Sequence, residues 1–234
     1  MNDLAQELQD SLSEPCGRLK ISMSAAYGRM WGIKILARFL QAYPQISVEL
    51  SLDDREVDLA KEGFDVVIRV GALADSANLI ARRLFLDPLI TCATPEYLQR
   101  YGQPQHPDEL ERYNCLNFRN RKTGRPIPWF FIIDQDVERR NFTGTLTVDD
   151  GEAVGQATAL GMGISQMPNF MAINALQEGT LEEILADYRP PSVPFTALYL
   201  ERRLVSPRIQ AFINFMVQQN AVWAEYSESP LRST

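Results

Sequence analysis

The stretch that most constrains this chain is DDREVDLAKEGFDVVIRVG, residues 53–71. It holds a turn, a short helix, a helix stop and a buried strand in one run. Asp54 or Asp58 can cap the helix, because a carboxylate accepts hydrogen bonds from the free N–H groups of a first turn. Gly63 follows Lys61 and Glu62, where a helix end needs a left-handed residue. Val66, Val67, Ile68 and Val70 then form an apolar, β-branched run without helical period, which suits a parallel strand covered on both faces. Arg69 interrupts that run near its end and Gly71 closes it. In open α/β sheets, ligands bind beyond the carboxyl ends of the strands. Arg69 is therefore either a ligand contact or a strand-tip cation whose head reaches water. Spacing alone does not separate the two.

The same alternation continues on both sides. RLKISM (18–23) reads as a first strand. The small residues SAAYGR lead into a helix over about 29–43, with Trp31, Leu36, Phe39, Leu40 and Tyr43 on one side and Ile33 and Ile35 widening it. Pro44 stops that helix. Ser22 and Ser24 lie between a strand end and a helix start. Backbone N–H groups there can hold an anion, or the serines can simply cap the helix. QISVELSL (45–52) and residues 84–93 are further strands. Thr94-Pro95-Glu96 has cap, first-turn proline and acidic residue in the order a helix start needs.

Beyond a proline-containing loop and a short helix DELERY, the sequence predicts strands at 115–118, 128–133 and 142–148. RNRKTGR (119–125) reads as a basic, solvated loop and DQDVERRN as a turn. A small-residue helix runs over 151–160, a buried strand over ISQMP, and a helix over 169–178. FTALYLE (195–201) is a strand, and Ser206-Pro207 opens a helix with Ile209, Phe212, Ile213 and Met216 on its buried face. The end, SESPLRST, reads as frayed. Strands alternating with helices over 18–93 and again over 115–180 predict two α/β lobes.

Composition narrows the function. No run approaches the ~20 apolar residues that span a bilayer, and the acidic start MNDLAQELQD is not a secretory signal. A cytoplasmic protein is the simplest reading. Cys16, Cys92 and Cys115 are odd in number and far apart, with neither metal spacing nor a disulfide framework. One histidine, His106, lies in a loop beside Pro104 and Pro107, which gives little basis for a triad or a zinc site. A net charge of −7 argues against holding a nucleic-acid backbone through a general positive field.

Taken together, the pieces resemble the effector-binding region of LysR-type transcriptional regulators. GRLKIS at 17–22, FLQAYPQISVEL at 39–50, VDLAKEGFDVVIRVG at 57–71 and LIARRL at 79–84 carry the resemblance. ATPEYLQRYGQPQHPDEL at 93–110, NCLNF at 114–118, ALGMGISQMP at 159–168 and LVSPRIQAFINFM at 204–216 continue it in the family's order. The resemblance implies two Rossmann-like lobes, periplasmic-binding-protein-like, joined by two crossing strands near Ala93 and Ala197. It implies 1–16 as the end of a linker helix, 17–93 plus 199–220 as lobe I, 94–198 as lobe II and 221–234 as a C-terminal tail.

In that family a small-molecule effector lies between the lobes. Carried over by position, its contacts are Ser22, Ser24, Ala25, Asp53, Arg69 and Gly71 from lobe I, Thr94 at the hinge, and Phe118 and Arg119 from lobe II. Asp53 is then the residue that most distinguishes this ligand from those of relatives. The family also implies a homodimer or higher homo-oligomer, pairing helix 29–43 and strand 46–50 with helix 151–160 of a partner. DNA contact belongs to a winged helix-turn-helix that this sequence lacks, and no membrane, cofactor or metal is implied.

Two other functions share parts of this pattern. A transport solute-binding protein has the same architecture, but the missing secretion signal argues against it. An enzyme of related fold needs chemistry that is not here: no glycine-rich phosphate loop, metal cluster or nucleophile–histidine pair. The sequence reading is a sensor that binds a small polar or anionic effector without catalysis.

Overall fold

The computed structural model describes residues 14–55, 57–71, 79–200 and 206–228, with the backbone alone for 220–228. The expected linker helix at 2–13, Glu201 of the strand 195–201, and residues 229–234 of the tail lie outside the described residues. Two compact units emerge: Met1–Leu86 with Pro194–Tyr226, and Asp87–Val193 with Ser227–Thr234.

The first unit begins with β1 (Gly17–Met23). A continuous helical segment, α1, follows as Ala25–Tyr27, a π-helical turn Gly28–Gly32, and Ile33–Ala42. It thus starts at Ala25, earlier than the expected residue 29. The reason is that Ala25 is capped from outside its own segment. A Cβ on Gly28 would stand 2.1 Å from Leu52 Cδ2, and one on Gly32 2.6 Å from Met23 Sδ. Glycine at both places lets this segment lie close on the ends of the strands. Leu36 and Phe39 are buried, and Phe39 meets Phe212 and Phe215 edge-on at 5.2 and 5.4 Å. Ile33 on the same segment is exposed.

The chain continues with β2 (Ile46–Leu52), α2 (Leu59–Glu62) and β3 (Val66–Val70). Asp58 caps α2, accepting from the N–H groups of Ala60 and Lys61 at 3.1 Å each. Gly63 ends α2 with φ 71°, the left-handed stop the sequence predicts. Val66, Val67 and Ile68 are buried, as a run covered on both faces requires.

The predicted strand 84–93 is two strands. β4 (Leu79–Asp87) and β5 (Leu89–Ala93) are divided at Pro88, which has no N–H for a ladder. In the first unit the sheet order is β2-β1-β3-β12-β4, where β12 is Val193–Leu200. β1 is parallel to β2 and β3, while β12 runs antiparallel to β3. Leu19, Ile21, Met23, Ile68 and Phe195 fill its core. The last helix of this region, Pro207–Glu228, contributes Phe212 and Met216. It extends through Ser227 and Glu228, where the sequence suggests fraying.

In the second unit, β5 is followed by α3 (Pro95–Tyr101), a 3-10 turn Pro107–Arg112 and β6 (Asn117–Phe118). DQDVERRN is mostly strand, not turn. β7 (Trp129–Ile133) and β8 (Asp136–Arg140) pair antiparallel around Asp134 and Gln135. Both turn residues have positive φ (50° and 73°), the geometry whose twist matches a two-residue hairpin. Of the predicted strand 142–148, only β9 (Thr147–Val148) pairs, in parallel with β6. α4 (Gly151–Ala159), β10 (Ser165–Pro168), α5 (Asn169–Gln177) and an unanticipated short strand, β11 (Glu182–Ile184), complete the unit. β5 lies between β10 and β11, antiparallel to both. The final helix of the first unit, Pro207–Glu228, is α6.

Candidate functional site

Three strand ends of the first unit carry the expected contacts, and the structure joins two of them, Ser22 and Arg69, directly. Ser22 is fully buried near the end of β1. Arg69, near the end of β3, reaches back to it: Nη2 donates to Ser22 Oγ at 2.9 Å and to the Arg55 carbonyl at 3.2 Å, while Nη1 donates to the Ile68 carbonyl at 2.9 Å. Burial disfavours the charged guanidinium and lowers its pKa, with Asp54 and then Asp53 acting in the opposite direction. Every hydrogen bond Arg69 makes among the described residues goes to a neutral oxygen. Arg69 is thus no snorkelling cation. It is a partly buried one that braces three segments.

Asp53 follows β2. Its carboxylate accepts from the Arg55 N–H (3.0 Å) and from Arg55 Nε (2.6 Å). Arg55 also pairs with both Glu62 oxygens, through Nη1 at 2.9 Å and through Nη2. These carboxylates hold the Arg55 guanidinium well above its ordinary range, and Arg55 holds Glu62 below its own. Ala25, the first residue of α1, donates its N–H to Asp54 Oδ1 at 3.0 Å. Ser24 holds the N-cap position without a side-chain cap bond, so neither serine caps this helix. Gly71 has φ 91° and donates its N–H to the Pro194 carbonyl at 2.9 Å.

The second-unit candidates have visible local roles. Thr94 is buried and caps α3, its Oγ1 accepting from the Tyr97 N–H at 3.2 Å. Phe118 packs at the edge of the cluster around Leu116, Val154 and Met167. Arg119 pairs with Asp149 at 3.1 Å, and Arg121 Nε donates to the Asp149 carbonyl at 3.1 Å. The supposedly solvated basic loop is therefore tied down at two of its arginines.

Sequence reasoning missed Asp54, Arg55 and Glu62 as members of the strand-end cluster. The signal lies in the run Asp53-Asp54-Arg55, whose three charges leave a strand end together. Only the fold brings Glu62 and Arg69 back to it. His106 proves structural: Nδ1 accepts from the Asp108 N–H at 3.2 Å, and the ring meets Tyr188 edge-on at 5.1 Å. Among the described residues no group of three or more His, Cys, Asp or Glu is placed to hold a metal ion. Among those same residues no helix is long and apolar enough to cross a membrane. A cavity of about 180 Å³ lined by Arg82, Tyr199, Ile209, Gln210, Ile213 and Asn214 lies elsewhere in the first unit and contains none of the expected contacts.

Comparison with known proteins gives this arrangement a family. Residues 12–221 match the model of the LysR substrate binding domain. An HTH-type transcriptional regulator of Xanthomonas campestris is 32% identical over 95% of this chain and 67% of its own length. The HTH-type transcriptional activator AaeR of Escherichia coli is 31% identical over 92% of this chain and 68% of its own length. Among solved structures, the regulatory domain of CrgA, a LysR-type regulator from Neisseria meningitidis, superposes with a TM-score of 0.79 at 26% identity. That match covers 88% of this chain and all of the other. The periplasmic-binding-protein-like α/β fold expected from the sequence is the fold of these relatives. The transport alternative is not favoured, because the relatives are transcriptional regulators. The chain belongs to the LysR family of transcriptional regulators and constitutes its effector-binding domain.

Proposed function

We propose that this domain senses a small polar or anionic effector anchored at Arg69 and passes the change to a DNA-binding domain. The observation that carries the reading is the bonding of three arginines. Arg55 is paired with Asp53 and Glu62, and Arg119 with Asp149. Arg69 is hydrogen-bonded to Ser22 and two carbonyls, with no carboxylate in contact among the described residues. A partly buried cation bonded only to neutral oxygens gains by meeting an anion. It sits near a strand end, where this type of sheet takes ligands. Binding shifts the domain only if the effector favours one of its states over another.

The same reading assigns no catalysis: the strand-end carboxylates Asp53 and Glu62 are paired with Arg55, and the Ser22 hydroxyl accepts from Arg69. Recognition of DNA is assigned to a helix-turn-helix outside this sequence, in keeping with the net charge of −7.

Thermal-shift screening of small metabolites tests the assignment. A charge-assisted hydrogen bond contributes roughly 1.5–3 kcal/mol, so Arg69→Ala is expected to weaken anion binding about 10- to 100-fold. Arg119→Ala is expected to leave it nearly unchanged. Arg69→Lys keeps the charge without the fork and is expected to fall between. Equal stabilisation of wild type and Arg69→Ala by anions would remove Arg69 from the site.

A further inference from the structure

The first turn of α1 is capped by a carboxylate from another segment. Asp54 lies 29 residues along the chain from Ala25, yet its Oδ1 takes the Ala25 N–H. Ser24 stands in the N-cap position and leaves that role to Asp54. The same carboxylate bears on Arg69: of the charges around that guanidinium, Asp54 favours its charged form most. No hydrogen bond or ion pair joins the two, since Arg69 is committed to Ser22, Ile68 and Arg55. Arg69 bonds the carbonyl of Arg55, the residue that follows Asp54, so the two side chains leave neighbouring backbone and Asp54 faces the site without pairing with Arg69. Asp53, on the preceding residue, is drawn aside by Arg55. One negative group thus occupies the place that a helix start and a neighbouring cation would otherwise offer to a ligand's anionic oxygen.

We infer that Asp54 is a specificity-determining residue, a built-in carboxylate that takes the helix-start donor for itself and so restricts the effector to one negative charge, carried by Arg69. A monoanion can meet the guanidinium through Nε–H, which makes none of the bonds Arg69 forms among the described residues. A second anionic group beside it would face Asp54 and find the Ala25 N–H already used. This inference rests on the reading of Arg69 as the anchor and adds the class of anion that the anchor accepts.

Asp54→Asn separates charge from capping, because the asparagine oxygen still accepts from the Ala25 N–H. Titrations of wild type and variant with acetate and with malonate, at matched ionic strength and with acetamide as neutral control, read the effect as thermal shift. Wild type is expected to prefer acetate. In Asp54→Asn the apparent affinity for malonate is expected to rise about tenfold, with a smaller gain for acetate. Asp54→Ser, which also keeps an acceptor, is expected to behave alike and guards against a folding defect in one variant. An unchanged acetate-to-malonate ratio in both variants, while Arg69→Ala abolishes the response, overturns the role of Asp54 and spares that of Arg69. A response that survives Arg69→Ala overturns the anchor itself. No response to either anion in any variant overturns both.

Discussion

Single residues in this domain do more structural work than their chemistry first suggests, and carboxylates do most of it. Asp54 caps α1 from another loop, Asp58 and Asp150 cap the helices they precede, and Asp87 accepts from the Phe170 N–H at 3.0 Å near the start of α5. The cysteines show the opposite behaviour. Burial pushes the thiols of Cys92 and Cys115 up to about 12, whereas Cys16 is exposed. A neutral, buried thiol is a poor nucleophile. At pH 8 a thiol reagent is expected to label Cys16 quickly and the other two only on unfolding. The same shift sets a pH dependence. Below the ordinary thiol pKa of 9.0 both states are neutral and nothing is lost. Above it the unfolded chain ionises while the folded one does not, so stability falls as pH rises from about 9 towards 12, by up to about 1.4 kcal/mol per pH unit for each thiol. Denaturant midpoints between pH 8 and 10 check this, and a flat profile would contradict it.

At the scale of elements, the hairpin β7–β8 depends on one side chain of another strand. The Gln166 carboxamide accepts from the Phe130 N–H and donates to the Phe130 carbonyl, each at 2.8 Å, and donates to Thr91 Oγ1 at 3.2 Å. A side-chain amide here imitates a neighbouring strand. Gln166→Ala is expected to cost about 2–3 kcal/mol, since three hydrogen bonds are lost and partly buried partners are left behind. Hydrogen exchange at the Phe130 amide should quicken more than at the core of β5. Unchanged exchange at Phe130 would mean that the hairpin docks by its apolar face, Trp129 and Phe131, alone. This element also marks what the sequence can and cannot disclose. The helix stop at Gly63, the cap at Thr94 and the buried run Val66–Ile68 are local signals, and all are legible. Asp134-Gln135 lacks the glycine that usually announces a two-residue hairpin, so β8 reads as a turn. The split at Pro88 is written in the sequence, but assigning its two halves to different sheets requires tertiary pairing. The candidate site follows the same division. The strand-end positions of Ser22, Asp53 and Arg69 come from the local pattern and the family's order. The bond from Arg69 to Ser22 and the cap from Asp54 to Ala25 join residues that are 47 and 29 positions apart, beyond the reach of periodicity.

For the molecule as a whole, exposed apolar surface poses the remaining question. Leu160 is 80% exposed and Met162 43%, just beyond α4, while Ile33 on α1 is 51% exposed. Covering a leucine of this kind is worth roughly 1.5–3 kcal/mol, so these side chains can stabilise a contact between copies. The pairing implied by the family resemblance, a first-lobe helix against the second-lobe helix of another copy, predicts that these side chains are covered in a dimer, where each such contact occurs twice. It would bring Ile33 of one copy towards the end of α4 of the other. Light scattering on this chain is expected to give twice the monomer mass of 26.5 kDa at micromolar concentration. Leu160→Asp places a charge where the partner would close and is expected to shift the mass towards one copy. Ile33→Asp is expected to do the same from the other helix of the pairing, and the two together should add little beyond either alone once the pairing is lost. Circular dichroism melts of these variants should remain near wild type under conditions where all are monomeric, because neither side chain belongs to a core. A wild-type mass of one copy at high concentration, or a dimer that survives both substitutions, would place the self-association surface elsewhere.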